Sequence, residues 1–257
     1  MLGVIGGIFF ILVWDVGFLV ANSVNTIAAF GTDFNLYRVA THDWLTTGQF
    51  YPSWQLDGPY VLSVERPGIL YPPVVLVLLA PFAFLPDPVA ILAWWLVPLA
   101  TTVLIVAAWR PALWAVAIML ACVAWGGSVS LILFGNPMLW TMAAVALGTR
   151  YGWPFALILF KPTLAPFAFL GARQRSWWLA IVVGAASLFA FGSLWMDWLT
   201  VLANARGPLV NLAYSLHDVP LMVVPLIAWL GRDKRPTMPT RTKPKTIDAL
   251  QGSPTLA

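Results

Sequence analysis

A carboxylate stands at the head of a polar, aromatic segment that interrupts an apolar chain. Asp33 begins the stretch DFNLYRVATHDWLT, and the run before it is apolar and long enough to cross a bilayer. A carboxylate held at a membrane surface can act as a general base, whereas one at the start of a helix can accept hydrogen bonds from the free N–H groups there. The residue type alone leaves both interpretations of Asp33 open.

A single lysine interrupts a later apolar run. Lys161 and Pro162 stand in the middle of FALILFKPTLAPFAFL. A charge inside the hydrocarbon costs about 2.5–3.5 kcal/mol on insertion scales, so such a residue usually has a function. The other explanation is that the ammonium group of Lys161 reaches the interface from the end of a helix.

The composition is that of an integral membrane protein. Of the 257 residues, 60% are hydrophobic and 9% are charged, whereas a soluble domain has about 25% charged residues. The net charge of +4 resides in the tail, residues 232–257, where six Lys or Arg side chains outnumber two Asp. A short basic tail after a membrane segment is typical of a disordered cytoplasmic end, so we expect no nucleic-acid partner.

Helices are expected to form the membrane domain, residues 1–231. A crossing helix needs about 20 apolar residues, and Pro, Gly and charged residues separate the apolar runs of this chain. The predicted segments are 2–22, 71–86, 88–109, 111–134, 137–149, 151–172, 176–198 and 219–231. The pattern predicts an all-α polytopic membrane protein of about eight segments, some of them short or re-entrant. The Trp pairs at 94–95 and 177–178 fit lipid-facing or interfacial positions.

Two polar regions, 31–70 and 199–218, are predicted to lie outside the hydrocarbon. The first has a charge balance of −2, whereas residues 173–175 and the tail are basic. The positive-inside rule therefore places loop 31–70 on the outer face and both termini in the cytoplasm. With one cysteine and no basic leader region, the chain fits a bacterial plasma membrane.

Two arrangements of the segments are compatible with this orientation. Eight full crossings would leave Arg110 and Arg150 on the outer side. If 71–86 is re-entrant and 151–172 is a helical hairpin with Lys161-Pro162 at its tip, both arginines are cytoplasmic. We favour the second arrangement, because half-membrane segments are tolerated where they line a protein cavity.

The first outer loop is predicted to contain an amphipathic helix. The chain from Phe34 to Thr47 has no Gly or Pro, and Leu36, Ala40 and Trp44 recur at helical spacing. Charged residues, Arg38 among them, fall largely on the other, solvated side. Such a helix lies along the membrane interface.

The order and spacing of several motifs resemble glycosyltransferase family 87. The motifs are D-x3-Y-x2-A-x4-L-x2-G-x2-Y from Asp33 to Tyr51, YPPVVLVLLAPFAFLP at 71–86, LILFGNPMLW at 131–140 and FALILFKPTLAPFAFLGARQRSWW at 155–178. Members of this family are polytopic GT-C enzymes that include polyprenol-phosphate-mannose-dependent mannosyltransferases and related arabinofuranosyltransferases. The resemblance covers roughly residues 10–220. Family members usually continue with several more spans, so this chain is short at its C-terminal end.

The resemblance implies roles for particular residues. The acidic residue of the first outer loop, taken as the catalytic base in the family, matches Asp33. The Gly-Gln-x-Asn element matches Gly135-Asn136 without its Gln, and the lysine-proline pair matches Lys161-Pro162. An outer-loop Asn/Gln-Ser-Leu pattern matches NLAYSLHD at 211–218 only weakly.

A lipid-phosphate sugar donor explains the residue types found. Its leaving group is already a phosphate and needs cations, so one carboxylate as base is enough, and a single displacement inverts the anomeric carbon. We expect Lys161 and Arg206 to hold the phosphate, with Arg66 and His217 as further candidates. The remaining residues expected to bind substrate are Tyr37, Tyr71 and Asn136. No His/Cys/acid cluster predicts a metal, and no cofactor is expected.

The sequence therefore predicts a transferase that moves a sugar, with mannose expected, from a polyprenol-phosphate donor to a lipid or glycan acceptor. The surrounding membrane lipids are the other expected partners. Two alternatives stay open. A lipid-linked sugar carrier or flippase would also use re-entrant segments and an intramembrane lysine. A non-catalytic membrane partner with a remnant GT-C fold would explain the short C-terminal half, and it implies a protein partner.

Overall fold

A computed structural model describes residues 30–63, 66–207 and 219–233, and most of them are helical. The predicted segment 2–22 and residues 234–257 of the predicted tail lie outside this part. The α-helices are α1 (Thr32–Thr47), α2 (Ser53–Leu56), α3 (Val75–Ala83), α4 (Asp87–Trp109), α5 (Leu113–Ala124), α6 (Gly126–Phe134), α7 (Met138–Tyr151), α8 (Ala165–Ala168), α9 (Trp178–Phe191), α10 (Ser193–Asn204) and α11 (Val219–Leu230). The 3₁₀ helices are Trp153–Phe160, Pro162–Leu164, Phe169–Gly171 and Arg175–Trp177. Two strands, β1 (Tyr60–Val61) and β2 (Ala205–Arg206), pair in parallel.

Helix α1 forms where the sequence predicted a helix, but it buries a different face. Its ends are set by Gly31 and Gly48, both in the left-handed conformation that glycine adopts without strain. The side chains that it buries are Phe34, Tyr37, Ala40 and Thr41. The predicted stripe of Leu36, Ala40 and Trp44 is therefore only partly right, because α1 packs against α3 and not solely against an interface.

The prediction of a membrane-crossing helix at 88–109 is confirmed as far as length and composition can show. Helix α4 has 23 residues, which makes it about 35 Å long. Among the described residues it alone is long and apolar enough to cross a membrane, and counting each bent helix pair as one span raises the number to three. Large apolar side chains cover its outer face and that of its neighbours, with Leu104 69% and Leu113 89% exposed.

Two segments predicted as single spans are broken. The segment 111–134 forms α5 and α6 with a bend of 63° at Trp125, and α9 and α10 meet at 90° at Gly192. The predicted polar loop 199–218 consequently begins within α10, which continues to Asn204. Hydropathy does not register either bend, since both halves of each pair are apolar.

The two segments predicted to be short or folded back are short or broken. Helix α3 has 9 residues and contains Pro81, so it is about 13 Å long and cannot cross a bilayer. The segment 151–172 consists of 3₁₀ and short α-helical turns that break at Lys161. Its two arms pack on each other, because a Cβ added at Gly171 would lie 2.5 Å from the ring of Phe155.

The described residues of the region 31–70 form a folded layer that is hydrogen-bonded to α10. The Tyr60 hydroxyl donates to the Val201 carbonyl at 3.0 Å, and the Trp198 indole N–H donates to the Leu70 carbonyl at 2.9 Å. Strand β1 pairs with β2 directly after α10. The strands correct the all-α prediction by two residues each, and the described parts of the two predicted outer regions lie together.

Charged residues lie at both ends of α4 and at the C-terminal end of α7. Helix α4 begins at Asp87, which forms an ion pair with Arg38 of α1 at 2.7 Å, and it ends beside Arg232, whose backbone bridges to Pro111. Helix α7 likewise runs from the layer of α1 down to Arg150.

Two apolar cores meet at a pair of tryptophans. One core surrounds α1 and α3, and the other surrounds α7 and the 3₁₀ turns that follow it. The rings of Trp95 and Trp140 pack against both cores. The position of α1 is thereby tied to the start of α7.

The contact between Tyr60 and Val201 of α10 is expected to stabilise the fold less at alkaline pH. Burial raises the pKa of the Tyr60 phenol above its ordinary value of 10.0, and the hydrogen bond from Gln55 offsets part of this shift. The folded chain keeps a proton that the unfolded chain releases, so this contribution is complete below about pH 10 and is lost as pH rises through the higher folded pKa.

Tyr60→Phe has no such proton, and we expect the stability difference between wild type and Tyr60→Phe to shift towards the variant above about pH 10. Denaturant unfolding in detergent at several pH values measures it, with Tyr151→Phe, at an exposed tyrosine, as the control. A difference that does not change with pH would contradict the prediction.

Candidate functional site

Asp33 lies in the first turn of α1, and it does not cap the helix. Gly31 precedes the helix, and no side-chain hydrogen bond caps this end. The Asp33 carboxylate instead accepts a hydrogen bond at 2.7 Å from the side-chain amide of Asn136, 103 residues further along the chain. The N-cap position belongs to Gly31, so Asp33 is not the N-cap residue, and its role as a general base stays a prediction.

Asn136 is held from the other side by two donors. Its Oδ1 accepts a hydrogen bond from the Tyr71 hydroxyl at 2.6 Å and another from the Met138 N–H at 3.1 Å. An amide oxygen that receives two donors leaves the NH₂ group to point towards Asp33. The amide orientation is therefore set by the network, and so is the position of the carboxylate that it contacts.

Aromatic residues enclose this pair. The rings of Tyr37 and Tyr71 meet edge to face at 5.1 Å, and the Tyr51 hydroxyl donates to the Tyr71 carbonyl at 2.9 Å. Both rings are buried, whereas Asp33 and Asn136 are half-buried. Four of the eight residues predicted for the site, Asp33, Tyr37, Tyr71 and Asn136, thus form one group, called the Asp33 cluster below.

A glycine turn brings Asn136 to α1. Gly135 ends α6 in the left-handed conformation, with φ of 68°, and its carbonyl accepts the indole N–H of Trp94 at 2.7 Å. The indole N–H of Trp95 donates to the Ile132 carbonyl at 2.6 Å, and Phe34 stacks on Trp94 at 4.8 Å. The prediction that the Trp pair 94–95 faces lipid or the interface is therefore wrong for Trp94, which is fully buried, whereas Trp95 is half-buried.

The second tryptophan pair divides between two environments. Trp177 is buried, and its indole N–H donates to the Ala168 carbonyl. Trp178 is 64% exposed on the outer face of α9. The predicted lipid-facing position therefore fits Trp178 and is wrong for Trp177.

Lys161 lies at the break between two 3₁₀ helices. Its backbone is extended, with φ of −133°, and the residue is buried, with 5% of its surface exposed. The preceding residue, Phe160, belongs to the same apolar core as Phe34 and Tyr37. A lysine that snorkels to solvent would be exposed, so this explanation of Lys161 is wrong.

The predicted arginines lie on the strand side of the layer. Arg66 is exposed, and its guanidinium stacks over the Trp54 ring at 4.1 Å. Arg206 is exposed in β2, where it donates to the carbonyls of Ala203 and Ala205. In the described part of the chain, these contacts do not reach the Asp33 cluster. His217 lies outside that part.

Arg38, expected on the solvated side of α1, has a structural role instead. Its guanidinium donates to the carbonyls of Phe82 at 2.9 Å and Leu85 at 2.7 Å, and it pairs with Asp87. These carbonyls stand at the end of α3, where a helix leaves acceptors without intrahelical donors. The sequence signal for this contact was the shortness of the apolar segment, because the last carbonyls of a helix need donors.

Within residues 30–63, 66–207 and 219–233, no three His, Cys, Asp or Glu side chains are grouped to hold a metal ion. Comparisons with family models, with curated proteins and with solved structures found no match to this chain. The resemblance drawn from the motifs therefore stays a hypothesis, and the geometry of the site has to carry the functional argument.

A substitution at Gly135 should destabilise the fold where the turn between α6 and α7 packs on α4. We expect Gly135→Ala to lower the free energy of unfolding by about 2–5 kcal/mol, because left-handed backbone costs other residues about 1–2 kcal/mol and overpacking about 1–3 kcal/mol. Its Cβ would lie 2.5 Å from the Trp95 ring. Gly48→Ala is the control, since it has φ of 82° with nothing within 4 Å of the new Cβ. Equal losses in chemical unfolding would refute the packing argument.

The Tyr71–Asn136 contact should appear as a coupling energy. In a double-mutant cycle we expect Tyr71→Phe and Asn136→Leu to be non-additive by about 0.5–1.5 kcal/mol, because each removes the same hydrogen bond. Tyr51→Phe is the matched control, since that hydroxyl contacts the Tyr71 backbone and not Asn136. Its cycle with Asn136→Leu should be additive, and similar couplings for both tyrosines would count against the network.

Proposed function

We propose that this chain is a membrane glycosyltransferase related to family 87, with a GT-C-like bundle and Asp33 as its general base. It transfers a sugar, with mannose expected, from a polyprenol-phosphate donor to a lipid or glycan acceptor. The single observation that carries the proposal is the hydrogen bond between Asp33 and Asn136. It joins two residues that the motif resemblance assigned to the same site and that lie 103 positions apart.

The Asp33 cluster has the features that a general base requires. The carboxylate is half-buried, so a substrate hydroxyl can reach it, and it is oriented by an amide that is itself held by Tyr71. Pre-organisation of this kind avoids reorientation during the reaction. A carboxylate that only stabilised its helix would need neither Asn136 nor the buried tyrosine.

The proposed reaction is a single displacement. Asp33 accepts the proton of the acceptor hydroxyl while that oxygen forms a bond to the anomeric carbon of the sugar. The bond from this carbon to the phosphate oxygen breaks at the same time, and its electron pair leaves with the polyprenol phosphate. The configuration at the anomeric carbon is inverted, because no covalent enzyme intermediate forms.

Lys161 is the first candidate to bind the donor phosphate. It is a buried lysine at a break in an apolar segment, and an ammonium group can bind a phosphate oxygen by a charge-assisted hydrogen bond. Arg66, Arg206 and His217 remain further candidates. Arg66 and Arg206 would have to leave their present contacts with Trp54 and with nearby carbonyls to reach a phosphate at Asp33.

The proposed membrane arrangement has about eight segments, with 71–86 re-entrant and 151–172 folded as a hairpin. Two observations support it: the shortness of α3, and the packing of Phe155 against Gly171. The layer of α1 and the Asp33 cluster would then face the outer side of a bacterial plasma membrane. Arg110 and Arg150 would face the cytoplasm with the basic tail.

The decisive experiment is glycosyl transfer by the purified chain in proteoliposomes supplied with polyprenol-phosphate mannose or arabinofuranose and a lipid extract as acceptor. Replacing Asp33 by Asn should reduce the rate at least 100-fold, because a general base contributes about 10²–10⁴-fold. Asp57→Asn, at an exposed aspartate of the same layer, should leave the rate within twofold.

Equal rates for wild type and Asp33→Asn would refute the assigned base. No transfer by the wild type, together with movement of labelled lipid across the bilayer, would replace the enzyme by the carrier alternative. No transfer and no movement would leave the role of a partner subunit.

A further inference from the structure

A groove runs along the flank of α1, next to the Asp33 cluster but separate from it. Its volume is about 680 Å³, which is within the range of about 300–1,000 Å³ for small-molecule sites. One wall is formed by α1 through Asn35, Val39 and Asp43, which follow one another at four-residue spacing. The opposite wall is the segment after Gly48, including Gln49 and Ser53.

The groove begins within one helical turn of the proposed base. Leu36, in its α1 wall, follows Asp33 by three residues, and positions three or four apart are neighbours on a helix surface. The groove then continues to Thr47, about 16 Å further along the axis. An extended ligand in the groove can therefore place one end at Asp33 and the rest along the next three turns.

The side chains of the groove match the hydroxyl groups of a sugar. Asp43 supplies a carboxylate that only accepts hydrogen bonds, whereas Asn35 and Gln49 both donate and accept. Within the described residues, the Asn35 side chain has no hydrogen-bond partner. Between these polar groups the walls are apolar, with Val39 and Ile69 among them, and the C–H faces of a pyranose can pack there.

The charge of the groove argues against an anionic ligand. Among the residues that the structure describes, its lining includes the carboxylate of Asp43 and no Lys or Arg. A phosphate or an acidic lipid headgroup would meet a like charge and no cation, which opposes binding. The groove is thus unsuited to the lipid-phosphate donor.

We propose that this groove binds a neutral oligosaccharide, the glycan acceptor, with its reactive end at Asp33. This inference rests on the proposed function for the direction of binding, but the binding itself can be tested without any transfer. Of the two acceptor classes left open above, it selects the glycan. The lipid-linked donor would then approach the Asp33 cluster from another side.

A blocking substitution tests the groove directly. Val39 is 51% exposed within the groove, and Leu45 is 40% exposed on another face of the same helix. The probe is mannotriose, titrated into the chain in lipid nanodiscs and followed by saturation-transfer NMR. We expect Val39→Trp to weaken binding at least tenfold and the control Leu45→Trp to leave it within twofold.

A smaller change covers the case in which Val39→Trp fails to fold. Replacing Asn35 and Asp43 together by Ala should weaken mannotriose binding at least fivefold, since it removes two groups that contact hydroxyls. Thr46→Ala is the control, because Thr46 is exposed beside the groove residue Thr47 without lining the groove. Unchanged binding in the folded groove variants, or no binding by the wild type, would overturn the proposal.

The same titration separates this proposal from the proposed function. Asp33→Asn should still bind mannotriose, because an amide can also hydrogen-bond a sugar hydroxyl, although its rate of transfer is expected to fall at least 100-fold. If no variant and no wild-type sample transfers sugar while Val39→Trp alone loses binding, the groove is a glycan site and the transferase assignment fails. If transfer depends on Asp33 while Val39→Trp binds normally and transfers normally, the transferase stands and the groove proposal fails.

Discussion

The contact on which the site depends is the hydrogen bond from the Trp94 indole to the Gly135 carbonyl. It joins the first third of α4 to the turn between α6 and α7, and Phe34 of α1 stacks on the same indole. A buried carbonyl without a donor costs about 1–3 kcal/mol, so the turn has one stable position. Asn136 follows this turn directly, and Trp94, together with the hydrogen bond from the Gly31 N–H to the Leu133 carbonyl at 2.9 Å, brings its amide to Asp33.

The Asp33 cluster is therefore assembled by the packing of the surrounding helices. Asp33 and Tyr37 lie on the buried side of α1, and Tyr71 reaches Asn136 from the segment before α3. Three separate parts of the chain therefore meet at one polar contact inside an aromatic surround. A polar network in such surroundings holds its geometry well when each member has a partner. As a consequence, a substitution that moves Trp94 or the Gly135 turn also moves the Asp33 carboxylate.

Sequence patterns predicted the parts of this fold that depend on local chemistry. The long, largely apolar run 88–109 identified α4, and Lys161-Pro162 identified a break, because charge and proline each oppose a continuous apolar helix. The 90° bend at Gly192 left no such signal, since both flanking helices are apolar. The role of Trp94 was also missed, because a tryptophan whose indole N–H donates to a distant carbonyl cannot be distinguished in the sequence from one that faces lipid.

The short helix α3 links the polar layer to the depth of the apolar helices. The last carbonyls of a helix have no intrahelical donors, and side chains elsewhere in the protein can supply donors. Arg38 provides them for Phe82 and Leu85, and Asp87 balances its charge. Arg38 belongs to the same helix as Asp33. The residue that contacts the end of α3 and the carboxylate of the site are therefore carried on one helix, so a shift of α1 towards a ligand would break the hydrogen bonds from Arg38 to Phe82 and Leu85.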